Sequence, residues 1–188
     1  MLAAAVRTIQ RQGVEALTLR GVGEQLGVSR TALYRHFANK DALLTAVAAE
    51  GFRVLQQELQ HAWTGGGEGK AGFAAMGHAY VRFAVRHPSH YRVMFGSVLN
   101  PEALPPPPPG GDGDAFGSLV GAIVAQQRDG SVRTDDDPQQ LALYVWSVVH
   151  GVAMLAIDGI LRSPADVEAL TAFAIARLQT GVSAPAPC

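Results

Sequence analysis

The stretch TLRGVGEQLGVSRTALYRHF, residues Thr18 to Phe37, sets two short helical patterns on either side of a very tight link. Leu19, Val22 and Leu26 recur at i, i+3, i+7, one face of a helix. Gly23 adds a small residue to that face, where a second helix packs closely. Thr18 is a good N-cap for this helix and Gly27 a good residue just past its end. After the link Gly27-Val28-Ser29, Ser29 caps a second helix expected to run from Arg30 to His36. There Leu33 and Phe37 point inward, while Arg30, Thr31, Tyr34 and Arg35 form an outward polar and basic stripe. Two short helices across such a turn make the geometry that enters the major groove of DNA.

The longer stretch LTLRGVGEQLGVSRTALYRHFANKDALLTAV resembles the TetR-family DNA-binding signature from the second helix to the start of the fourth. The matching parts are Leu17-Thr18, the Gly27-Val28-Ser29 turn, Leu33-Tyr34, Phe37, and Asn39-Lys40 followed by Leu43-Leu44. Upstream, AAAVRTIQRQG is similar to that family's first helix, with Gly13 as its stop. Gly23 departs from the family's usual Ala, a change worth roughly 1 kcal/mol of helix propensity. The first helix also begins almost at Met1, so the family's N-terminal arm is expected to be missing. The resemblance implies that Ser29, Tyr34 and Lys40 hold the phosphate backbone, with Thr18 and Arg20 as further candidate contacts. It leaves Arg30, Thr31 and Arg35 to read bases, with His36 as a candidate at the helix end. Arginine suits bidentate bonds to guanine, each worth about 1–3 kcal/mol of discrimination.

Charge distribution points the same way. Net charge is −1 over 188 residues, which argues against a generally basic coat. Residues 1–45 nevertheless carry six Arg and Lys against three acids, and the remainder nine against thirteen. A small basic head on an acidic body docks on phosphate at one end and repels it elsewhere. With 48% hydrophobic and 16% charged residues the chain reads as globular and long enough for a substantial core. The single cysteine, Cys188, excludes an internal disulfide and fits a reducing compartment. No secretory signal is visible, because Arg7 and Arg11 interrupt the N-terminus. The expected location is the cytoplasm, and the abundance of Ala, Gly and Pro suggests a GC-rich bacterial genome.

Beyond the head the chain reads as helix after helix. Residues 40–63 form one long pattern from an Asn39 cap, with Leu43, Leu44, Val47, Val54, Leu55 and Leu59 apolar. Gly65-Gly66-Gly67 and Gly69 break it and read as a domain joint. Residues 71–87 resume helical periodicity. Pro88 ends that helix and opens a short one carrying Tyr91, Met94 and Phe95. The five prolines Pro105 to Pro109 read as a stiff connector, or alternatively as a docking peptide for a proline-binding module. Helices are expected at about 114–129, 138–161 and 164–180, and no alternating strand pattern appears. The predicted fold is all-α, with a helix-turn-helix domain over 1–45 and a helical domain over 46–188.

Residues 141–161, LALYVWSVVHGVAMLAIDGIL, approach the roughly 20 residues needed to cross a bilayer. His150 near the middle, Asp158 near the end and the lack of a flanking basic cluster favour a helix buried on every side. One face would pack on its own domain and another on a partner subunit.

A second resemblance enters here. Trp146, His150 and Gly151 are similar to the Trp-His-Gly motif of one TetR C-terminal domain type, and YVRFAVRHPSHYRVMFG (80–96) to that type's earlier stretch. This implies a homodimer through the last two helices, with Val167, Leu170, Phe173, Ala174 and Leu178 as an apolar stripe. An intramolecular core alone explains the same stripe. The resemblance also implies a small-molecule effector pocket, for which Tyr80, Phe83, Tyr91, Phe95, Trp146 and His150 are the candidates. Their apolar character suits a lipophilic or aromatic effector, although each is also read as plain core.

Enzyme chemistry finds no support. The six histidines show no metal-ligand pair with an acid helper, and Pro88 disturbs the spacing of His87 and His90. No phosphate loop follows a strand and no nucleophile stands in an elbow. No cofactor or metal is expected. The reading is a ligand-responsive dimeric repressor acting on palindromic double-stranded DNA. An activator, or an architectural DNA binder without an effector, is the alternative.

Overall fold

The computed structural model describes residues 1–96 and 115–182, apart from the side chains of Arg30 and Val182. The proline run and Cys188 lie outside the described residues. The expected all-α class is what is found: among the described residues there are nine helices and no strand. They are α1 (Leu2–Gln12), α2 (Leu19–Leu26), α3 (Arg30–Tyr34), α4 (Lys40–Gly65) and α5 (Gly69–Arg86). After these come α6 (Pro88–Phe95), α7 (Ala115–Arg128), α8 (Pro138–Ile157) and α9 (Pro164–Val182). Residue contacts divide the chain into two compact units.

The first unit holds Met1–Phe52 together with residues 87–96. Ala4, Ala5, Val6 and Ile9 of α1, Leu19 and Val22 of α2, and Leu33 of α3 are buried. Leu43, Leu44 and Val47 from the start of α4 join them, and α6 adds Tyr91, Val93 and Met94. The α2 end explains the tight turn. Gly27 adopts φ 65°, where glycine is at ease. The Gly27 N–H donates to the Glu24 carbonyl at 3.2 Å and the Val28 N–H to the Gly23 carbonyl at 3.1 Å. This paired closure stops the helix and turns the chain at once into α3. A methyl on Gly23 would lie 3.1 Å from Cδ1 of Leu33, so glycine here lets α2 and α3 pack closely.

The second unit holds Arg53–Arg86 and residues 115–182. In it α5 packs on α7, α8 and α9, and α8 packs on α7 and α9. Phe73, Met76, Tyr80 and Phe83 meet a core completed by Phe116, Leu119, Val145, Val149, Ile175 and Leu178.

Three details differ from the sequence reading. The glycine run joins α4 to α5 inside one unit rather than linking two, and Gly72 lies so close to Trp63 that a Cβ would meet its carbonyl oxygen at 2.8 Å. The α3 helix ends at Tyr34, two residues early, because the chain tightens: the His36 N–H donates to the Leu33 carbonyl three residues back. Finally α8 ends at Ile157 rather than 161. Gly159, at φ 74°, closes the helix there, with its N–H on Ala156 and that of Ile160 on Leu155. Apolar Ile160 beyond it is solvent-exposed, which is why hydrophobicity alone extended the helix too far.

Candidate functional site

The candidate reading surface lies on α3 and its flanks. Thr18 Oγ1 accepts from the Gly21 N–H at 3.0 Å and Ser29 Oγ from the Ala32 N–H at 3.2 Å. Each hydroxyl therefore caps a helix, a contribution of about 1 kcal/mol, and is held at the helix end that faces outward. Asn39 caps α4 in the same way, its Oδ1 accepting from Ala42 at 2.8 Å. Lys40, the first residue of α4, donates from Nζ to the Glu15 carbonyl at 3.3 Å. Thr31, Tyr34, Arg35 and His36 are all exposed. Inward-facing Leu33, 1% exposed, fixes the helix from beneath. The Arg30 backbone opens α3, while its side chain lies outside the described residues.

Arg20 is paired within its own helix. Its Nε donates to Glu24 Oε1 at 2.8 Å, and this hydrogen bond with Glu24, then the carboxylate charge, holds the guanidinium above its ordinary range. Sequence reasoning passed over Glu24, although an acid four residues after an arginine on one helix is a recognisable pairing signal.

The candidate effector residues divide between the units. Tyr80, Phe83, Trp146 and His150 fall in the second; Tyr91 and Phe95 fall in the first, on α6. There the Tyr91 and Phe95 rings sit 4.7 Å apart, and Phe95 meets Phe52 edge-on at 5.3 Å. In the second unit a small cavity of about 30 Å³ is lined by Phe73, Met76, Tyr80, Trp146, Val149 and Leu178 among others. Phe83 and His150 are not in its lining. The Trp146 ring is 5.5 Å from Tyr80 on one side and 5.5 Å from Phe116 on the other. The Tyr80 hydroxyl and His150 Nδ1 lie 3.1 Å apart, a hydrogen bond whose donor is set by the imidazole tautomer. Burial holds His150 below its ordinary pKa, so the ring is neutral near pH 7. Phe73 and Met76 were missed because helical periodicity marks an inward face without saying which inward residues border a void.

On α6, His90 also lies below its ordinary pKa, mainly through burial and then the nearby His87 charge, with Glu50 opposing. The two imidazoles meet edge-on at 5.8 Å. Among the described residues no three His, Cys, Asp or Glu side chains gather as a metal site.

The exposed apolar side chains concentrate on α8 and α9. Leu143 and Tyr144 are 61% and 51% exposed, and Phe173 is 62% exposed. By length and composition α8 would pass for a membrane span. One face of it, however, carries Leu141, Val145, Val149 and Val152 into the core, while the other carries Leu143, Tyr144 and Leu155 outward. The α9 stripe splits likewise: Ala174 and Leu178 are buried and Phe173 is outside.

Comparison with known proteins agrees with this geometry. Residues 1–47 match the bacterial regulatory proteins of the tetR family, and residues 73–178 match the tetracyclin repressor-like C-terminal domain. A solved protein of unknown function from Rhodococcus sp. RHA1 is 29% identical, with a TM-score of 0.82 over 97% of this chain and 93% of that one. The HTH-type transcriptional regulator Rv1816 of Mycobacterium tuberculosis is 26% identical over 72% of this chain and 60% of its own length. The chain thus spans under two thirds of that relative. The nicotine-responsive transcriptional repressor HdnoR of Paenarthrobacter nicotinovorans is 42% identical over 57 residues, 30% of this chain and 28% of that protein. With matches to both halves, the second covering more than half of its length, the chain belongs to the TetR family of bacterial regulatory proteins.

Proposed function

We propose that this protein is a dimeric, sequence-specific DNA-binding repressor that a small apolar effector releases from its operator, acting in the cytoplasm. The observation that carries the reading is the exposed presentation of Thr31 and Tyr34 on the five-residue α3, with Arg35 at its C-cap, a helix capped at its start by Ser29 and anchored by buried Leu33. Arg35 supplies a bidentate donor for guanine, while Ser29, Tyr34 and Lys40 hold phosphate and fix register. Thr18, Arg20, Arg30 and His36 complete the candidate contact set.

Dimerisation is supported by the outward apolar face of α8 and α9, where a shallow groove of about 420 Å³ runs between Tyr144, Gly151, Leu155, Leu170 and Phe173. Exposed apolar surface of this extent marks an interface. A twofold axis there presents two α3 helices to an inverted repeat. Effector response is supported by the small apolar cavity beside Tyr80 and Trp146. At about 30 Å³ it has room for roughly one water. In this reading an effector binds better to a wider state of that cavity, and that preference shifts the population. Since α4 contributes residues to both units, it is the element we assign to carry the shift toward Lys40. Repression is the sense favoured by the name of HdnoR, a nicotine-responsive transcriptional repressor.

The test is selection of bound duplexes from a random DNA pool by purified protein at near-physiological salt. An enriched inverted repeat is expected. A folded protein that binds without sequence preference, and with steep salt dependence, would be an architectural binder instead.

A further inference from the structure

A second opening in the helical unit is larger than the Tyr80–Trp146 cavity and chemically different from it. Between α5, the end of α8 and the start of α9 lies a groove of about 390 Å³, within the roughly 300–1,000 Å³ of small-molecule sites. Its floor is apolar, formed by Val81, Val85, Leu161, Pro164 and Val167. Its rim is cationic: Arg82, Arg86 and Arg162 stand against a single acid, Glu168.

Of the three arginines one is paired. Arg86 is held by Glu58 at 3.0 Å, while Glu168 Oε1 lies 3.2 Å from His78 Nδ1, a contact that is ionic only when the imidazole is protonated. Arg82 and Arg162 join no ion pair or hydrogen bond among the described residues. The start of α9 supplies no alternative anion site, because its own acid occupies it. Asp166 Oδ2 accepts from the Ser163 N–H at 3.0 Å, and Ser163 Oγ accepts from the Asp166 N–H at 3.1 Å. Two unpaired guanidiniums over a hydrocarbon floor call for a partner with an anionic end and an apolar body.

We propose that this groove binds a small amphipathic carboxylate, its carboxylate held by Arg82 and Arg162 and its aliphatic or aromatic part covering Val85, Leu161 and Val167. The site is separate from the Tyr80–Trp146 cavity, and its occupancy does not depend on the DNA-binding reading, because binding is measured on the protein alone.

The test is calorimetric titration of the full chain with octanoate and, at the same ionic strength, with octanamide as its neutral counterpart. Octanoate is expected to bind at one site per chain, and octanamide about tenfold or more weakly. Arg82→Gln and Arg162→Gln should each weaken octanoate by about tenfold, leaving octanamide binding and the melting temperature unchanged. Both side chains are exposed, so the variants fold. Equal binding of acid and amide, full octanoate affinity in both variants, or no octanoate binding at millimolar concentration would each overturn the proposal.

Discussion

The hydroxyl of Tyr80 on α5 lies 3.1 Å from Nδ1 of His150 on α8, a polar contact between helices whose other facing side chains are mainly apolar. Tyr80→Phe removes one hydrogen-bond partner of a half-buried ring nitrogen. The expected loss is about 1–3 kcal/mol of unfolding free energy, read from chemical denaturation. An unchanged midpoint would mean that water replaces the hydroxyl without penalty.

Acid should destabilise the fold through the same residue. Burial depresses the His150 pKa in the folded state, and His90 is depressed as well. The unfolded chain, with imidazoles near pKa 6.5, therefore binds protons first as pH falls. Stability is flat above about pH 6.5 and declines below it until the folded-state values are reached. His150→Gln should remove part of that decline while His90 keeps the rest, a comparison that thermal melts across pH make directly. A pH profile identical to that of the unmodified protein would count against the burial argument.

Operator affinity should respond in opposite directions to two nearby changes. Arg35→Ala removes a candidate base contact and is expected to cost about 1–3 kcal/mol of binding to the selected repeat. Glu24→Gln removes a carboxylate from the proposed DNA-facing surface and frees Arg20 from its 2.8 Å partner. That variant should bind more tightly, with a steeper dependence on salt, as measured by fluorescence anisotropy. Weaker binding by Glu24→Gln would show that the pair serves to hold Arg20 in place.

The α8–α9 face offers a clean test of assembly. Phe173→Glu places a charge where a 62% exposed ring now stands. Little in the isolated chain opposes it, since the ring is exposed and the Arg177 guanidinium lies 5.5 Å from it on the same helix. The variant should stay helical and sediment as a monomer. A dimer that persists would place the interface elsewhere.

Much of the fold was legible in local chemistry. Thr18, Gly27, Ser29 and Asn39 mark helix ends by what their own atoms do to the neighbouring backbone, and such signals need no tertiary knowledge. The helical class followed from periodicity. What stayed hidden depends on partners. Tyr91 reads as an inward residue of a short helix, yet nothing local says that its core belongs to the first unit. Arg82 and Arg162 look like ordinary solvated cations until folding sets α5 beside the start of α9. The end of α8 was misjudged because Ile160 and Leu161 continue the apolar run, whereas Gly159 ends the helix through its backbone.

The small cavity beside Tyr80 and Trp146 has a further consequence in terms of volume. Its lining is apolar and its roughly 30 Å³ is space that packed atoms do not fill. Such space vanishes when the chain unfolds, so hydrostatic pressure favours whatever state eliminates it. The effector proposed for this site would do the reverse and enlarge it. Compression and ligand therefore push the same few side chains in opposite directions, and the wall between Phe73 and Leu178 is where the protein should be softest to both.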